Sequence, residues 1–220
     1  MAPSVRIEGR DGGPVEIVAS DDELAVLRRR FDERHHVALP GLLGGRLLDR
    51  VLGALEEAEF VEHEHPLKRE LLMLPNAATV LLWFVTNDPR LFAVVDRITG
   101  SGPFGSVWGR LFRMLPGPAH WGVWHDDAVG DRRAVLSLNL STEPYEGGIL
   151  EIRDVASGDI VAEVKPGRLG DAILFRIAKG LEHRVTPLAG RYPKTTFVGF
   201  FRGGELAPIV RPLGSLTSRK

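Results

Sequence analysis

From about residue 105 to residue 202 the chain reads as a series of short β-prone runs cut apart by glycine and proline. They are SVWGRLFRML, GVWHDD, AVLSLNLS, GILEIRD, DIVAEV, DAILFRI, HRVTPL and TTFVGFF. Short strands at this regular spacing call for a sandwich or a barrel. The region before them has a different texture. Ser20-Asp21-Asp22-Glu23 is a cap signature for a helix ending near Arg30. Residues 46–60 carry Leu47, Leu48, Val51, Leu52 and Leu55 at helical spacing. A third helix is expected from Pro89 to Ile98, between the Asp88-Pro89 start signal and Gly100. Weak strand signals, SVRIE and VEIVA, flank a turn at Asp11-Gly12-Gly13-Pro14, and HHVALPGLL reads as a short strand broken at Pro40-Gly41.

With 220 residues the chain fits one domain. We expect a helical support region over 1–104, a β-core over 105–202 and a tail over 203–220, the helices packing outside the core. Eight or so strands enclosing a polar site favour a mainly β fold with N-terminal helices. Its core would be a double-stranded β-helix, a cupin-like jelly roll flanked by α-helices. An immunoglobulin-like sandwich or an up-and-down barrel leaves the N-terminal helices and the motif described next unexplained.

That motif is WGVWHDD at 121–127. His125 and Asp127 are one residue apart, so on an extended strand they share a face. His183, in GLEHRV, is the expected third ligand of a two-His, one-carboxylate metal site, which leaves three coordination positions open. The chain contains no cysteine, so a metal must be held by His, Asp or Glu. A net charge of −1 argues against a nucleic-acid or anionic-membrane surface. No apolar run approaches the ~18 residues of a membrane helix, and the N-terminus lacks a signal-peptide core. We expect a cytoplasmic protein; the sequence does not fix its oligomeric state.

Taken in order, several stretches resemble the Fe(II)/2-oxoglutarate-dependent oxygenase superfamily, in particular its prolyl-4-hydroxylase-like branch. They are Pro116-Gly117, His125-Asp126-Asp127, YEGGILEI, KPGRLGDAILF, His183-Arg184-Val185-Thr186-Pro187, and Arg191 before TTFVGFF. The resemblance implies Fe(II) on His125, Asp127 and His183, with 2-oxoglutarate and O2 as co-substrates and ascorbate as a reductant. It implies oxidative decarboxylation to succinate and CO2, coupled to C–H oxidation, chiefly hydroxylation, of an amino-acid-like, peptidyl or small natural-product substrate. An aspartate at 127 speaks against a halogenase, which would have a small residue there.

Arg191, eight residues after His183, sits near the family's interval for the cation that holds the far carboxylate of 2-oxoglutarate. Thr195 would share its face on a regular strand, and Lys194, pointing the other way, is the reserve candidate. Two tyrosines that prolyl-hydroxylase relatives often use are replaced by Leu115 and Leu140, leaving Ser137 and Asn139 as substitutes. Trp121, Trp124, Met114 and Phe112 are candidates for a substrate pocket. His63 and His65, in EHEHP, read as a solvated acidic loop. Two alternatives stay open: a non-catalytic jelly-roll module that binds a small molecule, and a cupin-type metalloenzyme that does not use 2-oxoglutarate.

Overall fold

The computed structural model describes residues 4–9 and 16–206. Strands β1 (Arg6–Glu8) and β2 (Glu16–Val18) pair antiparallel; the Asp11–Pro14 turn lies outside the described residues. Helix α1 (Asp21–Arg34) opens on a capping box. The Ser20 hydroxyl accepts from the Glu23 amide at 3.3 Å, and the Glu23 carboxylate accepts from the Ser20 amide at 3.1 Å. The helix runs one turn beyond the expected Arg30, because the terminator is His35, held in the left-handed conformation at φ 62°. Next come β3 (His36–Leu39), α2 (Gly45–Glu56), a hairpin of β4 (Phe60–His65) and β5 (Lys68–Met73), α3 (Ala77–Thr86) and α4 (Pro89–Thr99).

Ten strands follow: β6 (Phe104–Met114), β7 (Trp121–Gly122), β8 (Arg132–Asn139), β9 (Glu146–Gly147), β10 (Leu150–Asp154), β11 (Ile160–Val164), β12 (Ala172–Arg176), β13 (Leu181–Val185), β14 (Leu188–Ala189) and β15 (Lys194–Gly203). The main sheet has the order β3-β12-β8-β15-β6-β5-β4, with β7 beside β5. A smaller sheet, β11-β10-β13, and the β14-β9 pair complete the curled antiparallel double-stranded β-helix.

Two local expectations are corrected, and one apolar run without a prior reading is placed. The apolar run ATVLLWFV is helix α3, capped by Asn76, whose side chain accepts from the Ala78 amide at 2.8 Å. EHEHP belongs to the β4–β5 hairpin rather than to a solvated loop. The 1–104 region is therefore not only helical, since β3, β4 and β5 extend the main sheet at both ends.

Alternation along β15 and β6 gives the main sheet two different faces. Phe197, Phe201 and Leu111 point to the helices and join Leu27, Phe31, Leu91 and Ile98 in one apolar cluster. The Phe197 ring lies across two glycines paired in register, Gly109 and Gly199; a Cβ on Gly109 would come within 2.3 Å of it. Residues on the opposite face of β15 turn toward the smaller sheet. Val198 and Phe200 pack there against the Val135, Leu150, Ile152 and Phe175 cluster. Helix α3 closes the exposed margin of β6. Trp83 Nε1 donates to the Gly109 carbonyl at 2.6 Å, and the Asn87 amide exchanges hydrogen bonds with the backbone of Val107. Among the described residues no single helix is long and apolar enough to cross a membrane.

Candidate metal centre

The chain brings His125, Asp127 and His183 together by an antiparallel bridge. The His125 amide donates to the His183 carbonyl at 3.1 Å, and the His183 amide donates to the His125 carbonyl at 2.8 Å. His183 is further fixed in β13, opposite Ile152, and its ring stands edge-on to Phe175 at 4.9 Å. Regular strand ends at Gly122, so the expected i, i+2 geometry is not what aligns the pair. Asp127 instead adopts φ 52°, a left-handed conformation that few residues other than glycine take, aspartate among them. That turn swings its carboxylate back between the imidazoles. Asp127 Oδ2 lies 3.3 Å from His183 Nε2 and 3.6 Å from His125 Nε2. One donor atom from each residue falls within 4.8 Å of the others.

The electrostatics suit a cation. Burial pushes the Asp127 carboxyl up, but hydrogen bonds from His125 and His183 outweigh it and hold the pKa well below the carboxylate range. Burial lowers the pKa of His183 and so favours its neutral, metal-binding form. At His125 burial also lowers the pKa, but hydrogen bonds to Asp127 and the Val123 carbonyl raise it overall. Arg132 Nη1 donates to Asp127 Oδ1 at 3.2 Å while its guanidinium lies 4.0 Å from the Phe200 ring centre. The second carboxylate oxygen is thus occupied and the first faces the two nitrogens.

These three side chains form part of the wall of a cavity of about 450 Å3. Met114, Phe112 and Trp121 line it as anticipated, whereas Trp124 lies outside, between the guanidiniums of Arg153 and Arg184 at 4.5 Å each. His63 and His65 line the cavity from β4, contrary to the solvated-loop reading.

The structure does not bring Arg191 or Thr195 to the cavity. Arg191 is exposed on a bend, its guanidinium 5.5 Å from the Tyr192 ring centre. Thr195 is buried on the helix side of β15, and its hydroxyl accepts from Arg113 Nε at 3.1 Å. The strand starts only at Lys194, after Pro193, so alternation cannot be carried back to Arg191. Lys194 and Thr196 occupy the cavity wall. The Lys194 ammonium donates to the Gly148 carbonyl at 3.1 Å, and burial, opposed by the charge of Glu70, brings its pKa down to about 8. The Thr196 hydroxyl is buried without a hydrogen-bond partner. Beside them a recess of about 100 Å3 is lined by Ser137, Asn139 and Tyr145, whose phenol is pushed up by burial. Leu140 is buried in the helix-side core, away from this corner, and Leu115 is exposed. Tyr145 was not a candidate on sequence; it belongs to the YEGG turn, where the glycines drew the attention.

Residues 111–202 match the family model of the 2OG-Fe(II) oxygenase superfamily. The matched stretch is the β-core of the chain, from within β6 to within β15. Among solved structures it is similar to a 2OG-Fe(II) oxygenase-family oxidoreductase from Burkholderia pseudomallei. The TM-score is 0.63 at 15% identity, over 90% of this chain and 95% of that one. It is also similar to a prolyl-4-hydroxylase from Pseudomonas putida, with TM-score 0.60 at 16% identity over 82% and 99% of the two chains. A third likeness is to the α-ketoglutarate-dependent epimerase SnoN of nogalamycin biosynthesis, with TM-score 0.61 at 14% identity over 84% of each. No curated protein matches the sequence. A match to that family model implies Fe(II) and 2-oxoglutarate as the groups to test against the residues present. The donor set of this protein fits the metal, and the unpartnered Thr196 hydroxyl beside a desolvated lysine fits an anionic co-substrate.

Proposed function

We propose that this protein is a 2OG-Fe(II) oxygenase that binds Fe(II) through His125, Asp127 and His183, takes 2-oxoglutarate and O2 as co-substrates, and oxidises a C–H bond of a small-molecule or peptidyl substrate, most simply by hydroxylation. One observation carries the reading: the three donors converge on the wall of a cavity of about 450 Å3 that also exposes Lys194 and Thr196. When bound, iron and 2-oxoglutarate supply the oxidising power, the co-substrate leaving as succinate and CO2.

The protein's own part is orientation, neutralisation and exclusion of water. His125 Nδ1 lies 2.8 Å from the Val123 carbonyl. A carbonyl can only accept, so Nδ1 carries a proton, and Nε2 is the nitrogen that would turn its lone pair to a metal once the proton it shares with Asp127 has left. Arg132 holds Asp127 Oδ1, so that Oδ2 is the donor atom. Lys194 takes the role first given to Arg191, binding the distal carboxylate of 2-oxoglutarate, and Thr196 rather than Thr195 donates a second hydrogen bond. Ser137 and Tyr145 border the same corner and stand where the usual tyrosines would contribute. In this reading 105–202 is the catalytic core, and the region before it both supports the fold and, through the β4–β5 hairpin, walls the substrate space.

Anaerobic titration calorimetry tests the assignment. Binding of 2-oxoglutarate should require Fe(II) and disappear in His183→Ala. Purified protein given Fe(II), ascorbate and O2 should release succinate. Binding of 2-oxoglutarate that is indifferent to Fe(II), or absent with it, overturns the proposal.

A further inference from the structure

Resting on that reading, we infer that the substrate is a flat apolar molecule bearing an anionic group, its ring system lying against Trp108 and its anion on Arg110. The two residues sit two apart on β6, on the face that also carries Phe112 and Met114 into the cavity. Trp108 is 41% exposed, although it forms part of a concave wall. A large ring left this exposed inside a cavity is a surface for another flat group. Arg110 lies over that ring with its guanidinium carbon 4.5 Å from the centre. Stacking occupies the flat face of the guanidinium and leaves its N–H edge for a carboxylate or similar anion.

The charge balance of the cavity selects the same class. Its lining holds four cations, Lys68, Arg110, Arg132 and Lys194, against two carboxylates, Glu70 and Asp127. Lys68 is paired with Glu70, and Arg132 with Asp127. Lys194 is bound to the Gly148 carbonyl and serves the co-substrate in the reading above. Among the described residues Arg110 has no carboxylate within ion-pair distance. Fe(II) and the 2-oxoglutarate dianion cancel each other, so the positive surplus persists once the site is loaded. A cationic substrate would meet repulsion there, and a neutral one would leave Arg110 uncompensated against an indole face. A volume of about 450 Å3 lies toward the small end for ligand pockets and must also admit 2-oxoglutarate, which favours a compact acid over a length of polypeptide.

The test is direct binding to the holoenzyme, with saturating Fe(II) and 2-oxoglutarate under anaerobic conditions, so that the Lys194 corner is already filled. Benzoate, 2-naphthoate and anthracene-2-carboxylate are each titrated against the corresponding neutral amide, with tryptophan fluorescence and calorimetry as readouts. At least one acid should bind at least tenfold more tightly than its amide. Arg110→Gln should remove that preference and leave amide binding intact, which also shows that the variant is folded. Trp108→Ala should weaken acid and amide alike. Equal affinity of acid and amide for every ring size, including no measurable binding of either, overturns the inference, as does a preference that survives Arg110→Gln. If the unsubstituted protein fails to load 2-oxoglutarate in an Fe(II)-dependent way, the functional reading itself has failed, a result visible before any probe is added.

Discussion

The two faces of the main sheet are made by the same strands and have opposite characters. On the helix side β15 and β6 present Phe197, Phe201 and Leu111, all essentially inaccessible to solvent. On the other side, one residue out of step, they present Lys194, Thr196, Arg110 and Trp108 to a cavity. The first face is filled, and its contribution is apolar burial. The second carries desolvated charge, an unsatisfied hydroxyl and an exposed indole, features that cost stability unless a ligand answers them. A sheet that separates packing from chemistry by strand parity can accept substitutions for activity on one face without disturbing the other.

The sharpest way to break this comparison is at the metal donors. Asp127→Ala should lower succinate release by about 10³-fold or more, since it removes the anion that both imidazoles share. The thermal midpoint of the metal-free protein should fall as well, because the hydrogen bonds that outweigh the carboxylate's desolvation are lost with it. On the packed face, Phe197→Ala should cost about 3–5 kcal/mol in urea unfolding, as nothing can collapse onto Gly109 and Gly199 to fill the gap. Phe200→Ala, on the cavity face, should cost clearly less; equal losses would mean the two faces are not energetically distinct.

Lys194→Met should weaken 2-oxoglutarate by about 1.5–3 kcal/mol, roughly ten- to a hundredfold in Kd, while raising stability at neutral pH by removing a buried charge. The pH dependence follows from a folded pKa of about 8, below the ordinary lysine value. Between about 8 and that value the unfolded chain holds a proton that the native protein has released, so stability from this group rises with pH across that window. Co-substrate affinity runs the other way and should fall as pH rises through about 8, with calorimetry reading both in one buffer series. The smallest effect is expected at the edge of the molecule. Ser20→Ala removes the α1 cap and should cost about 1 kcal/mol, with no change in 2-oxoglutarate binding.

The succession of β-runs and the ordered motifs made the double-stranded β-helix legible, because Gly- and Pro-bounded strands are a local signal. The convergence of positions 125, 127 and 183 was legible in outcome but not in cause. Strand periodicity pointed to side chains that do converge, although Asp127 reaches its place through a left-handed turn that periodicity does not register. Lys194 and Arg191 show the opposite failure. The interval from His183 favoured the arginine, but Pro193 delays the strand, and parity counted from Lys194 reverses which residues face the cavity. His63 and His65 were misjudged since an acidic, alternating hairpin has the composition of a loop until a long-range partner, β6, supplies the rest of its sheet. Helix α3 carries no polar face to read in the sequence, since even its exposed side is apolar at Val80 and Phe84, while Trp83 and Asn87 wedge it against β6.

That wedge bears on how a polypeptide could approach. With the Val107 amide and carbonyl taken by Asn87 and the Gly109 carbonyl taken by Trp83, this margin of β6 offers an arriving peptide a broken ladder to pair with as an added strand. Strand addition at that border is thus disfavoured, which shifts the choice of what is admitted toward the cavity mouth.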